Sequence, residues 1–296
     1  MLTRAWRFFK GENLEVPGRV IAIVFFLFLF AGVPFVIPNV FVLRILTFAC
    51  LWAIFAASWD LLVGFTGQLS LGHALFFGTG AYVAGLLNLK FGWPPGATIP
   101  LGALAGVAMG FIGGAPALRL RGFYLALVTL AMPLILSGIV MAFPDYTGGE
   151  LGLFGVQALS SSPIRSYYIV LIVMTASVVI MWKLTDTSSK LVRTGIILRA
   201  INEDEIAARA AGINSNTYKF MAFAVSGFFA GVAGGLYVHI MRVVGPSTLE
   251  LMTSLNPVIW TIFGGVGTIY GAVTGVFILF PLMQFLLDYT LIRTAI

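Results

Sequence analysis

Residues 41–63, FVLRILTFACLWAIFAASWDLLV, decide what kind of protein this is. Arg44 stands near one end and Asp60 near the other, and between them almost every side chain is apolar. As a helix the stretch is long enough to cross a hydrocarbon core of about 30 Å, which takes about 20 residues. Further apolar runs occupy roughly 20–37, 68–89, 97–118, 122–143, 167–183, 218–241 and 257–286. Over the 296 residues, hydrophobic types make up 59% and charged types 9%, with a mean hydropathy of +1.01. A soluble domain carries about 25% charged residues, so this chain cannot cover a water-facing surface. The runs are continuous rather than alternating, which excludes a transmembrane β-barrel. The expectation is an all-α polytopic membrane protein with about eight transmembrane helices, or nine to ten if some are broken or re-entrant. The last run, Gly-rich and long, reads as one tilted helix or two short ones.

Basic residues orient the spans. With the N-terminus in the cytoplasm, the inner side collects Arg4, Arg7, Lys10, Arg19, Arg119, Arg121, Lys183, Lys190, Arg193, Arg199, Arg209 and Lys219. The outer side holds Arg44, Lys90, Arg165 and Arg242, a bias that satisfies the positive-inside rule. The net charge of +6 therefore reflects topology rather than a nucleic-acid partner. The first run is too long for a signal-peptide core and lacks a small-residue cleavage site, so it reads as an uncleaved span. The expected organisation is a cytoplasmic segment 1–19 and one transmembrane domain 20–290. That domain carries an external Gly/Ser/Pro-rich loop 144–166 and a cytoplasmic loop 184–217. The single cysteine, Cys50, allows no intrachain disulfide and no thiolate metal site, and neither metal nor cofactor is expected. No G-x-x-x-x-G-K-[ST] sequence is present, so any ATP hydrolysis must come from another chain.

The most hydrophilic stretch, TGIILRAINEDEIAARAAGINSNTYKF (194–220), lies in the cytoplasmic loop. Arg199 with Glu203, and Glu205 with Arg209, stand four residues apart, and each such pair supports a helix by ~0.2–0.5 kcal/mol. Gly212 supplies a stop. A lipid-anchored helix would be rich in Lys and Arg, whereas this one is weakly acidic through Glu203, Asp204 and Glu205. It reads either as a solvated loop helix or as a docking helix for a protein groove, with Ile197, Ile201 and Ala208 as anchors.

The segment RAINEDEIAARAAGI resembles the cytoplasmic loop of permease subunits in the branched-chain amino acid ABC importer family. GFTGQLSLGHALFFGTGAYVAGLL (64–87), RGFYLALVTLAMPLIL (121–136), TGGELGL (147–153) and GGVGTIYGAVTG (264–275) resemble that family in the same order. Ile206 departs from the broader importer loop pattern, which places Glu before Ala207. The resemblance implies the transmembrane domain of an ABC importer in the inner (plasma) membrane. It would pair with a second, usually non-identical permease, two ATP-binding subunits and a soluble substrate-binding protein. It also implies that helix 199–212 docks in the ATPase, with Arg199, Glu203, Asp204, Glu205, Ala208, Arg209 and Gly212 as coupling residues.

Polar side chains at membrane depth tend to face the bundle interior. Gln68, Ser70, His73, Thr79 and Tyr82, with Thr129 in the next motif, are the candidates for a translocation path. Each has a second reading as an interhelical hydrogen bond, worth about 1 kcal/mol. The recurring glycines read as close helix packing or as exposed backbone facing a solute. Asp60 reads as interfacial or paired with a neighbouring span, and His239 as close to the outer surface. Buried carboxylates are too few for a proton relay, which disfavours a stand-alone channel or secondary carrier. Metalloprotease and hydrolase signatures are missing, which disfavours an enzyme. Leucine, isoleucine and valine are the substrates the family implies, with urea, amides and other amino acids as alternatives.

Overall fold

The computed structural model describes residues 39–186 and 194–294, with the isolated positions 32 and 34, and side chains as far as Leu286. The expected first span, 20–37, falls outside these residues but for two positions, as do segment 1–19, Lys190 and Arg193. Contacts divide the chain after Arg44, and the packing that follows lies within the unit beginning at Ile45.

The chain runs through α1 (Val40–Thr66), α2 (His73–Phe91), α3 (Pro95–Gly114), α4 (Gly122–Ala142) and the single turn α5 (Pro144–Thr147). Then come α6 (Pro163–Thr185), α7 (Thr194–Glu203), α8 (Glu205–Ala210), α9 (Ser215–Met241), α10 (Leu251–Gly264) and α11 (Tyr270–Thr294). Helices α1–α4, α6 and α9 are long and apolar enough to cross a membrane, while α10 and α11 contribute shorter apolar stretches. The run expected at 257–286 is thus two helices. Prolines 100, 133, 257 and 281 lie inside helices, a placement that packed membrane bundles tolerate.

The core is a three-helix wedge of α2, α3 and α9. Gly102, Gly106 and Gly110 repeat every fourth residue on α3, and a Cβ on each would meet the backbone carbonyl of Gly80, Gly227 or Phe223. From the other side, a Cβ on Gly227 would meet the Gly106 carbonyl and one on Gly234 the Phe77 carbonyl. Lipid supplies no hydrophobic drive between helices, so backbone proximity and van der Waals contact must hold them. That is the packing reading of the glycines.

Helix α2 begins at His73, not near 68. After Thr66 the chain turns at Gly67, whose φ of +67° suits glycine, and residues 67–72 run back into the bundle beside α1. Trp59 Nε1 donates to the Ser70 carbonyl at 2.9 Å, and Leu71 N–H to Thr129 Oγ at 3.1 Å. A similar return follows α9. Leu249 packs at Gly78, and Ala74 N–H donates to Ser254 Oγ at 3.0 Å, so α10 starts beside α2 within the bundle.

The opposite end of the wedge is closed by the loop after α5. Two-residue strands β1 (Leu153–Phe154) and β2 (Val243–Val244) pair antiparallel, Leu153 opposite Val244. His239 is buried there, two residues from the end of α9: Nδ1 donates to the Gln157 carbonyl at 2.7 Å, and Nε2 lies 2.7 Å from Thr98 Oγ. The loop expected as a simple connection is therefore clamped to α9 through His239 and to α2 through Asn88, whose Oδ1 accepts the Gln157 N–H at 2.8 Å.

The glycine seam gives a test. Gly106→Leu forces a side chain onto a backbone carbonyl and should destabilise by at least about 1–3 kcal/mol, read as a lower melting temperature in detergent. Gly138→Ala, at a helical position with open space, should leave melting unchanged or slightly raised.

Candidate functional site

At one end of the bundle the polar helices α7 and α8 lie across the termini of α1, α4, α6 and α9. Gly195 lets α7 sit directly on the Thr185 carbonyl of α6. Asn202 Nδ2 donates to the Gly64 carbonyl at 3.3 Å, and a Cβ on Gly67 would collide with Asn202 Oδ1. Arg199 covers the Phe65 ring at 5.2 Å and reaches the Gly267 carbonyl in a long 3.5 Å contact. Among the described residues Arg199 forms no ion pair with Glu203, the expected partner. Helix α7 ends at Glu203, and the guanidinium turns instead to α1 and the 264–269 loop.

The single helix expected over 199–212 is broken in two at Asp204. Its backbone is extended, with φ −153° and ψ 103°, and Oδ1 accepts the N–H groups of Ile206 and Ala207 at 2.8 and 3.0 Å. A short carboxylate competes well for backbone N–H groups outside a helix, so Asp204 caps α8 instead of continuing α7. Gly212, at φ +84°, ends the segment as expected of a stop.

Glu205 is the anchor of α8. Its carboxylate receives Arg209 Nη2 at 2.6 Å, Lys219 Nζ at 2.8 Å and Arg121 Nη2 at 3.0 Å. These cations come from α8 itself, from the first turn of α9 and from the residue before α4. Partial burial pushes the Glu205 carboxyl up. The hydrogen bond and charge of Lys219, then Arg121 and Arg209, outweigh it and hold the group below the usual range. Arg209 is fixed further by Nε to Ser215 Oγ at 2.6 Å. A polar cleft of about 290 Å3 opens between α7–α8 and Thr66–Gln68, with Arg121 and Lys219 in its wall. Ile201 and Ala208, expected as anchors for a partner, are buried at 3% and 5% exposure, so the chain itself consumes them. Ile206 faces outward instead, 71% exposed. Glu203 and Asp204 are exposed, and Ile197 is half-buried.

Beneath this end lies an interaction that sequence reading missed. Asp60 is fully buried, and its carboxylate accepts three successive backbone N–H groups from the loop joining α10 to α11: Gly267 at 2.6 Å, Thr268 at 3.0 Å and Ile269 at 2.8 Å. The loop that offers them needs φ of +109° at Gly265, +77° at Gly267 and +49° at Ile269. The first two are glycine conformations, whereas a β-branched residue at positive φ is strained. A glycine loop aimed at an inward carboxylate six residues before the end of α1 was the available signal.

The six candidate path residues do not converge on one channel. Ser70, His73 and Thr129 gather where α2 begins, and all three are buried. His73 Nε2 lies 3.0 Å from Ser58 Oγ and 3.2 Å from Ser226 Oγ. Both hydroxyls donate to carbonyls, Ser58 to Phe55 and Ser226 to Ser58, so Nε2–H donates to them, and His73 keys α1, α2 and α9 together. Its Nδ1, Gln68 Oε1 and Tyr82 Oη have no hydrogen-bond partner among the described residues. Thr79 donates back to Leu75 within its own helix at 2.7 Å. Gln68 belongs to the cleft beneath α7–α8, while Tyr82 lies in the apolar cluster with Val156 and Val244 near the strands. The N–H groups of Leu71, Gly72, Ala74 and Leu75 are taken by Thr129, Ser70, Ser254 and the Gly72 carbonyl. Those four N–H groups are therefore not free to face a solute.

Residues 41–295 match the family model described as the branched-chain amino acid transport system / permease component. The chain belongs to that permease family. It is a multi-pass membrane protein. The permease is 28% identical to the high-affinity branched-chain amino acid transport system permease protein LivM of Escherichia coli K12. That match covers 83% of this chain and 63% of LivM, and the LivM of Salmonella typhimurium gives the same figures. The permease thus spans less than two thirds of these relatives. It is also 26% identical to the ribose import permease protein RbsC of Escherichia coli K12, over 92% of this chain and 86% of RbsC. No solved structure gives a significant match.

The charge node of the permease has a pH signature. Glu205 is held ionised in the folded state, so its contribution is present above the carboxylate's unfolded pKa of about 4.3. It disappears as pH falls through the lower folded value. Glu205→Gln should lower the melting temperature at neutral pH. The gap from the native permease should narrow below about pH 4.3 and close in stronger acid, in melts recorded across that range.

Proposed function

We propose that this permease is the translocation subunit of an ABC importer for branched-chain amino acids or a related small polar solute. Separate ATP-binding subunits drive it and it hydrolyses no ATP itself. The observation that carries the reading is α8: a short polar helix, capped by Asp204, pinned by Glu205 to three cations, and presenting Ile206 to solvent. A helix that served only as a loop would have no use for an outward isoleucine on a rigid mount. A helix that receives a partner's groove needs both.

In this reading Ile206 is the knob, Glu203, Asp204 and Arg209 form its polar rim, and α7–α8 lie on the cytoplasmic side. Arg119, Arg121, Lys183, Arg199, Arg209 and Lys219 all cluster at that end, which agrees with an excess of positive charge inside and with a cytoplasmic N-terminus. Two ATP-binding subunits, a second, non-identical permease and a soluble substrate-binding protein complete the assembly in the inner (plasma) membrane. Relatives named for branched-chain amino acids, ribose and fructose support a small polar solute as cargo. Gln68, His73 and Tyr82, each with an unpartnered polar atom, are the positions at which the path would open in another conformation.

Ile206→Asp tests this reading. Exposure of the side chain means the fold should survive, with an unchanged melting temperature. Loss of a buried isoleucine contact, worth about 1.5–3 kcal/mol, should weaken capture of the ATPase subunits roughly tenfold or more and remove ATP-driven uptake. Undiminished capture and uptake would contradict it, and uphill uptake by this chain alone would favour a secondary carrier.

A further inference from the structure

Three separated motifs meet at the α7 end of the bundle, and their contacts form a chain rather than a cluster. Helix α7 grips the end of α1 through Asn202 on the Gly64 carbonyl and through Arg199 on the Phe65 ring. The same Arg199 touches the Gly267 carbonyl of the loop joining α10 to α11. That loop is tied back to α1 by the three N–H groups on Asp60. A Cβ at Gly64 would collide with both Asp60 Oδ1 and Gly267 N, so the end of α1 and the loop move together or not at all. Helices α10 and α11 in turn are locked face to face: a Cβ at Gly264 would meet the Gly271 carbonyl, and one at Gly275 the Trp260 carbonyl. From its far end, α10 reaches the start of α2 through Ser254.

Resting on the reading of α8 as the ATPase contact, we propose that Arg199 and Asn202 are the positioning residues that pass the motion of α7–α8 into the membrane. The strained loop Gly264–Ile269 is the joint that receives it and tilts the α10–α11 pair against α4. Two features favour this loop over the other neighbours of α7. The Gly267 carbonyl is contacted by Arg199 from the polar side while the Thr268 N–H of the same peptide unit is held by Asp60 from the core, so a pull on α7 acts directly on a peptide unit between two anchors. The positive φ of Ile269 is a conformation the loop relinquishes readily once the grip changes.

The test uses the assembled transporter: this chain with its second permease, ATP-binding subunits and binding protein in lipid nanodiscs. Val266→Cys in the loop and Tyr124→Cys on α4, both exposed, carry spin labels, while the native Cys50 is buried and stays unlabelled. ATP with vanadate should change the 124–266 distance in the otherwise native transporter. Asn202→Ala and Arg199→Ala should each reduce that change, and the double variant should abolish it. Asn202→Ala, which lies outside the residues expected to dock, should keep the ATPase subunits bound and hydrolysing ATP. An undiminished distance change in the double variant would overturn the proposal, as would no change in the native protein. Loss of the ATPase subunits from Asn202→Ala, the milder variant, would overturn it too, because the contacts would then seat α8 rather than transmit its motion. Failure of the native chain to capture ATPase subunits at all is a different result, and it would sink the reading of α8 instead.

Discussion

The fold depends on one buried carboxylate satisfied entirely by backbone. Asp60 sits on α1, a 27-residue apolar helix, where an unpaired charge would be prohibitive. Three consecutive N–H groups from a loop some two hundred residues later remove that penalty. In return the carboxylate holds the loop in a backbone path that two glycines and a strained isoleucine must adopt. The bond set joins the first half of the chain to the last hairpin, and it builds the floor on which α7 rests through Arg199 and Asn202.

The same economy governs the rest of the membrane region. Backbone groups freed where the chain re-enters the bundle cannot be left to water, so hydroxyls accept them: Thr129 for Leu71, Ser70 for Gly72 and Ser254 for Ala74. Helix α2 can begin inside the bundle because Thr129 and Ser254 arrive from neighbouring elements while Ser70 serves its own loop. Gly72, set against the Thr129 carbonyl, and Gly78, set against Leu249, let the neighbouring elements approach closely enough for that exchange. Small polar residues in the spans are therefore mostly structural in this conformation, and the outward polar chemistry is concentrated at α7–α8.

Much of this was legible in the sequence. Apolar runs located α1, α3, α4, α6 and α9 because hydrophobic length is a direct consequence of membrane thickness; of the seam glycines the spacing in 64–85 reached Gly80 on α2 but not Gly102, Gly106 and Gly110 on α3. The i,i+4 rule found the Glu205–Arg209 pair, but not Arg121 or Lys219, which reach the same carboxylate from other helices. The start of α2 was placed too early, since hydropathy reads LSLG as spanning and is blind to a chain that doubles back. Helix propensity carried the polar helix straight through Asp204, where a side-chain cap ends one helix and begins another. Ile201 and Ala208 have the right spacing for a docking face, but spacing alone does not tell an inner face from an outer one. Asp60 was read from its place near a span end, and only the fold brings it to Gly267–Ile269.

Amide hydrogen exchange across 264–270, in the membrane-reconstituted protein, tests the central claim most directly. A glycine-rich turn at the end of a span would ordinarily exchange quickly. The account predicts slow exchange at Gly267, Thr268 and Ile269, becoming fast in Asp60→Ala. Fast exchange in the native protein would mean that the carboxylate does not hold the loop, and the structural argument would fail with it.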